Sequence, residues 1–162
     1  MKQANLHRLV VGVRPVAALL LLCAFTGFAQ EVEVQGDFVV VCQIEGMIDD
    51  GLGVVVKRAV REAEGAKALI FEIDTPGGRV DSAIEITNDI LEAKCPTIAY
   101  IKGMGAISAG ALITYACDTI VMSPATNIGA STPVMMGGAE PSDAMNDKSM
   151  SVVMGRYRTL AE

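Results

Sequence analysis

Three segments of this chain hold residues whose types and spacing could do chemistry. The first is Asp74-Thr75-Pro76-Gly77-Gly78. Proline fixes one φ angle and the paired glycines free the backbone to turn its N–H groups outward. Outward amides can hold an oxyanion as it develops. The same run also reads as an ordinary strand-to-helix turn. The second segment is Gly105-Ala106-Ile107-Ser108-Ala109-Gly110. A serine in a tight small-residue turn at a helix start is exposed beside backbone donors, which is the logic of a nucleophile elbow, although GxSxG is absent. Its plainer role is a helix N-cap. The third is Lys148, which follows a polar stretch; most lysines are solvated surface residues.

A serine nucleophile needs a base. Histidine occurs once, at His7, inside an N-terminal stretch with the marks of an export signal. With that stretch removed, a Ser-His-Asp triad within the chain is excluded. A lysine can serve instead when burial lowers its pKa. The candidates are Lys57, Lys67, Lys94, Lys102 and Lys148. Lys57 falls on the polar side of its helix, and Lys67 and Lys94 flank the starts of strands. Lys102 lies at the carboxyl end of a strand and stays open beside Lys148.

The signal reading rests on three features. Lys2, His7, Arg8 and Arg14 form an acid-free basic start, Val16 to Phe28 is an apolar run, and Gly27-Phe28-Ala29 supplies small residues at a cleavage site. The run is short for a membrane span, which needs about 20 residues, so cleavage near Ala29 is favoured over an uncleaved anchor. Leu22 stands before Cys23 where a lipoprotein signal wants a small residue. Removing residues 1–29 takes Lys2, Arg8 and Arg14 but no acid, so 10 basic and 19 acidic residues remain and the net charge falls from −6 to −9. Such acidity, with aromatics at 4% and no tryptophan, excludes a nucleic-acid surface. Cys42, Cys95 and Cys117 remain, with no CxxC and no metal-ligand spacing, so neither a metal nor a cofactor is expected and disulfide pairing stays open.

Hydrophobic patterning supplies the elements that must position these residues. Phe38 to Ile44 is a continuous apolar run, as for a strand buried on both faces, and Gly46 to Asp50 reads as a turn. Leu52, Val55, Val56, Ala59, Val60 and Ala63 form one helical stripe. Lys67 to Ile73 is a second strand, and Asp81 is placed to cap the next helix, whose stripe is Ala83, Ile84, Thr87, Ile90 and Leu91. Thr97 to Lys102 is a third strand, Gly103 to Ile107 a turn, Ser108 to Ala116 a short helix and Thr119 to Met122 a fourth strand. Ser123 to Met136 reads as loop, 137–147 as a polar loop, and Lys148 to Glu162 as helix. Alternating strands and helices predict an α/β fold, a mostly parallel sheet with right-handed βαβ crossovers.

The two motifs above, followed by Ser123-Pro124-Ala125-Thr126-Asn127-Ile128-Gly129-Ala130-Ser131-Thr132-Pro133, resemble the NfeD membrane-bound serine proteases. These belong to the ClpP/crotonase superfamily and are related to signal peptide peptidase A. The likeness runs from about Phe38 to Glu162; three motifs in order make it specific. It implies a ClpP-like domain over 30–162, with Ser108 as nucleophile and Gly77, Gly78 and the N–H of Ala109 lining the oxyanion hole. The family's basic lysine precedes a helix with a basic-hydroxyl-Leu-Ala pattern, which Arg158-Thr159-Leu160-Ala161 fits, so the resemblance selects Lys148 over Lys102. Asp147 adjoins Lys148, and a near carboxylate opposes a lysine base unless it points to solvent. The resemblance further implies a polypeptide substrate, a stomatin-like membrane partner, a homo-oligomer, and a position at the periplasmic or extracytoplasmic face of a membrane. Family members continue into transmembrane helices and a small β-barrel; this chain stops within an apparent helix and reads as the front part of a longer protein. Two rivals stand beside the protease. A crotonase-like acyl-CoA enzyme shares the oxyanion architecture but uses acidic residues and has no signal. A non-catalytic membrane scaffold would keep the fold and leave the dyad idle.

Overall fold

The computed structural model describes residues 7–9, 37–132 and 143–161, with side chains at 37–132 and 147–161. Its elements in chain order are β1 (His7–Leu9), β2 (Val39–Ile48), α1 (Asp50–Glu62), β3 (Ala68–Gly78), α2 (Val80–Leu91), β4 (Thr97–Ile107), α3 (Ala109–Tyr115), β5 (Thr119–Met122), β6 (Asn127–Gly129) and α4 (Asp143–Leu160). The sheet runs β1-β2-β3-β4-β5, and β6 also pairs with β4. All pairings are parallel except β1 on β2. This is the mostly parallel α/β sheet that the patterning predicts. The remainder of the segment read as a signal lies outside the described residues.

Among the described residues the apolar runs of β2 and β3 are covered on one face. Along β2 and β3 burial alternates: Val40, Cys42, Ile44, Leu69, Phe71 and Ile73 are buried, and their neighbours are partly exposed. The buried set joins Leu52, Val56 and Ala59 of α1, Ala83, Ile86 and Ile90 of α2, and Leu112 and Ile113 of α3 in one core. The opposite face carries Gln43, Glu72 and Lys102 in a polar cluster. Two-sided burial of Phe38 to Ile44 is therefore not what the described residues show. A run of β-branched residues has the same look whether one face or both are covered.

The strands extend further than the turn signals suggest. Gly46 is not a turn but an irregularity in β2, where the register shifts between Glu45 and Met47 and pairing resumes at Met47 with Gly77 and Ile48 with Gly78. Asp74 to Gly78 thus ends a strand, and Gly103 to Ile107 likewise continues β4, paired through Thr75 with Ala106 and through Gly105 to Ile107 with β6. Partner strands supply the backbone bonds that glycine-rich segments would otherwise make in turns. β6, read as loop from its Pro and Gly content, exists because β4 offers it an edge. Helix α1 is capped by Asp49, whose Oδ1 accepts the Leu52 N–H at 2.9 Å. Asp81 does not cap α2. The cap position is Arg79, with no side-chain cap bond, and Asp81 instead pairs with the Arg79 guanidinium. Helix α4 begins at Asp143, earlier than Lys148.

Helix α3 sits hard against β3. A Cβ added to Gly110 would lie 2.4 Å from Thr75 Cγ2, and Thr75 is fully buried. Gly110→Ala is therefore expected to destabilise the fold by about 1–3 kcal/mol. A thermal melt would show a fall of several degrees; an unchanged melting temperature would contradict this seating of α3.

Candidate active site

Ser108 joins β4 to α3 at φ 54° and ψ −121°, a conformation rare for a residue with a side chain. Its side chain makes no cap hydrogen bond to α3, so the N-cap role does not occupy the hydroxyl. The strained backbone is held from several directions. The Ser108 N–H donates to Gly129 O at 2.7 Å, and the Ala111 N–H donates to Ser108 O at 3.0 Å. Ser131 Oγ also donates to Ser108 O, at 3.2 Å. β6, missed in the sequence, therefore anchors the residue that the sequence singles out.

Gly77 approaches Ser108 from β3. Its φ is +102°, and an added Cβ would stand 2.7 Å from Ser108 Cβ and 3.2 Å from Ala109 N. A side chain here would fill the space in front of the first amide of α3, one of the amides a helix leaves without an internal partner. The Gly77 N–H itself donates to Thr75 Oγ1 at 3.0 Å, while Thr75 Oγ1 donates to Gly46 O at 2.5 Å. Gly77 thus shapes the hole rather than donating into it. Gly78 is paired in register with Ile48, and Ile48 O accepts the Arg79 N–H at 2.9 Å. In such a parallel ladder Ile48 bonds to the residues flanking Gly78, which turns the Gly78 N–H away from β2. The structure accordingly brings Gly77, Ser108 and Ala109 together, with Gly78 adjoining. Thr75 is the residue that sequence reasoning passed over; its burial could not be read from a polar type in a turn-like run.

The lysines separate clearly. Lys102 Nζ lies 2.8 Å from Glu72 Oε2 and 3.2 Å from Glu45 Oε1. The hydrogen bond that Lys102 donates to Glu72, with Glu45 adding to it, holds the Lys102 pKa above its ordinary value, opposite to what a base needs. Lys57 pairs with Asp89, and Lys67 with Asp37. Lys148 is exposed near the start of α4, and Asp147 beside it is also exposed. Among the described residues no ion pair joins these two. Lys148 is not among the residues that line the pocket at Ser108.

What does meet Ser108 is a small pocket of about 20 Å³, lined by Val80, Ser108, Ala109, Leu112, Ser131, Val153 and Tyr157. Val153 and Tyr157 come from α4, one helical turn apart. The Tyr157 hydroxyl lies 2.6 Å from Ser131 Oγ, and its ring stands edge-on to Tyr115 at 5.5 Å. The alternative thiol nucleophiles are poorly suited. Burial pushes the Cys42 and Cys117 pKa values up to about 12. Burial also raises Cys95, with Asp118 adding to it, and all three are free thiols.

Residues 38–162 match a family described as the N-terminal domain of NfeD1b. Over 103 residues the chain is 38% identical to the membrane-bound protease PH1510 of Pyrococcus horikoshii, a match covering 61% of this chain and 23% of that protein. It is 32% identical over 127 residues to the membrane protein NfeD1b of Bacillus subtilis, covering 77% of this chain and 29% of the relative. Among solved structures, a lysine-to-alanine mutant of the 1510-N membrane-bound stomatin-specific protease, in complex with a substrate peptide, aligns with a TM-score of 0.67 at 33% identity. That match covers 77% of this chain and 59% of the other. A serine-to-alanine mutant of the same protease aligns at 0.66 and 32%, covering 77% and 63%. The chain spans between 23% and 29% of the length of these curated relatives.

Two outcomes follow from the site geometry. Gly77→Ala should slow labelling of Ser108 by a serine-directed fluorophosphonate about 10²–10³-fold, because the added methyl would stand 3.2 Å from Ala109 N and block that amide, the usual cost of losing one oxyanion donor. In the native protein near neutral pH, a thiol reagent should modify Cys95 first, leaving Cys42 and Cys117 to react only once denaturant exposes them; mass spectrometry of the modified chain reads the order.

Proposed function

The chain belongs to the family of NfeD1b N-terminal domains, and from that premise we propose that it is the protease module of a membrane-associated serine endopeptidase working through Ser108 and Lys148. The observation that carries this reading is the strained Ser108 at the mouth of an apolar pocket, against Gly77 and the first amide of α3. The mutated residue types in the solved relatives, a serine and a lysine, are the types that the pattern selects here.

In the proposed reaction the neutral Lys148 amine takes the proton of the Ser108 hydroxyl as Ser108 Oγ bonds to a peptide carbonyl carbon. The carbonyl oxygen becomes an oxyanion facing the N–H groups of Ala109 and Gly78. Collapse breaks the C–N bond, and Lys148 returns the proton to the leaving amine. Water then attacks the acyl-serine ester, giving its proton to Lys148, which passes it to Ser108 as the ester breaks. The pocket walls from Val80, Leu112 and Val153 favour an apolar side chain next to the scissile bond. A membrane-proximal polypeptide fits that preference, and the stomatin specificity of the 1510-N relative makes a stomatin-like protein the first substrate to try. Residues 1–29, as a signal, would place the module on the extracytoplasmic side. No helix among the described residues is long and apolar enough to cross a membrane.

Two facts bear on how the dyad would form. Lys148 is exposed, and the pocket has room for little more than one water. Catalysis therefore requires the first turns of α4 to shift, which would widen the pocket and bring the amine onto Ser108 Oγ. The exposure of Lys148 also favours a second reading, a non-catalytic scaffold of the same fold.

Cleavage of an apolar peptide from a stomatin-like protein separates the two. The wild-type chain should cleave it, and Ser108→Ala and Lys148→Ala should each lose at least about 10³-fold in kcat/KM. Equal cleavage by all three would reject the dyad, whereas no cleavage by the wild type would favour the scaffold.

A further inference from the structure

Ser108 keeps a backbone conformation of the kind that costs roughly 1–3 kcal/mol and persists only where neighbouring groups over-determine it. Two of its restraints are backbone bonds inherent to the sheet edge and the helix start. The third comes from side chains. A carbonyl oxygen only accepts, so Ser131 spends its hydroxyl proton on Ser108 O. The 2.6 Å contact between Ser131 Oγ and the Tyr157 hydroxyl must then be donated by Tyr157. A directed chain runs from Tyr157 through Ser131 to the carbonyl of the serine itself.

Tyr157 is fixed for this task by its own surroundings. Its ring packs edge-on against Tyr115, at the end of α3, and it lines the pocket together with Val153. The adjacent Arg156 donates from Nε to Thr87 Oγ1 at 3.0 Å, and from Nη2 to Thr87 Oγ1 at 2.6 Å and Asn88 Oδ1 at 2.5 Å, tying α4 to α2. Burial holds the Tyr157 phenol above its ordinary pKa, so the donor keeps its proton.

We propose that Tyr157 is a positioning residue for the nucleophile, acting through Ser131 to hold the Ser108 carbonyl and so keep Ser108 Oγ aimed into the pocket. The inference rests on the reading of Ser108 as nucleophile. It adds that the helix carrying Lys148 also sets the geometry of the serine.

Tyr157→Phe keeps the ring and its packing and removes only the donor. In the full chain, its Ser108 should react with a fluorophosphonate about tenfold more slowly than wild type, the scale of one hydrogen bond. Peptide cleavage should lose kcat with KM little changed, and the melting temperature should stay close to wild type. Ser131→Ala should cost the same, and the double variant no more than either single one, because both break one chain. Hydrogen exchange at the amides of 108–111 should quicken in Tyr157→Phe whether or not the protein cleaves peptides. Labelling and exchange both at wild-type values in Tyr157→Phe would overturn the proposal. An unlabelled wild type would instead reject Ser108 as nucleophile, and the exchange rates alone would then decide whether Tyr157 restrains it.

Discussion

The left-handed backbone at Ser108 is the constraint around which the other elements are arranged. At φ 54° a residue with a Cβ is strained, and the conformation persists only where its neighbours hold it. Three elements hold it. β4 delivers the residue at the end of a strand, β6 accepts its N–H, and α3 begins immediately afterwards and bonds to its carbonyl. None of the three would suffice alone, since each fixes one end of the peptide group.

The facing strand β3 meets this arrangement with the smallest residues available. Gly77 is admitted close to Ser108 because it has no Cβ, and Gly110 lets α3 settle on Thr75 for the same reason. Thr75 connects the two sides. Its hydroxyl donates across to β2 at Gly46 O and accepts the Gly77 N–H, so one buried side chain orders the irregular end of β2 and the turn of β3 together. A buried polar group with both roles satisfied rigidifies its surroundings at little cost in desolvation.

Electrostatics separates the lysines by their surroundings. On the open face of the sheet, Lys102 is held charged between Glu72 and Glu45. Lys148 has no such partner among the described residues and stands on a helix whose Val153 and Tyr157 already reach the pocket. The contact between α4 and the serine is thus made by a phenol and an aliphatic side chain, while the amine remains in solvent.

Hydrophobic period and residue type by themselves determined the alternation of strands and helices, the parallel sheet, a short helix following Ser108 and the absence of a histidine base after residue 29. These are local properties: a stripe, a run of β-branched residues or a small-residue turn carries its meaning within a few positions. Tertiary structure alone decided that, among the described residues, Phe38 to Ile44 is covered on one face, and that Asp74 to Gly78 and Gly103 to Ile107 continue strands. It alone formed β6, buried Thr75, gave Gly77 a shaping role and placed Tyr157 behind Ser131. Each of those depends on a partner far along the chain, such as Gly46 for Thr75 or Gly129 for Ser108. A backbone group that finds its hydrogen bond at long range leaves no pattern in the residues beside it.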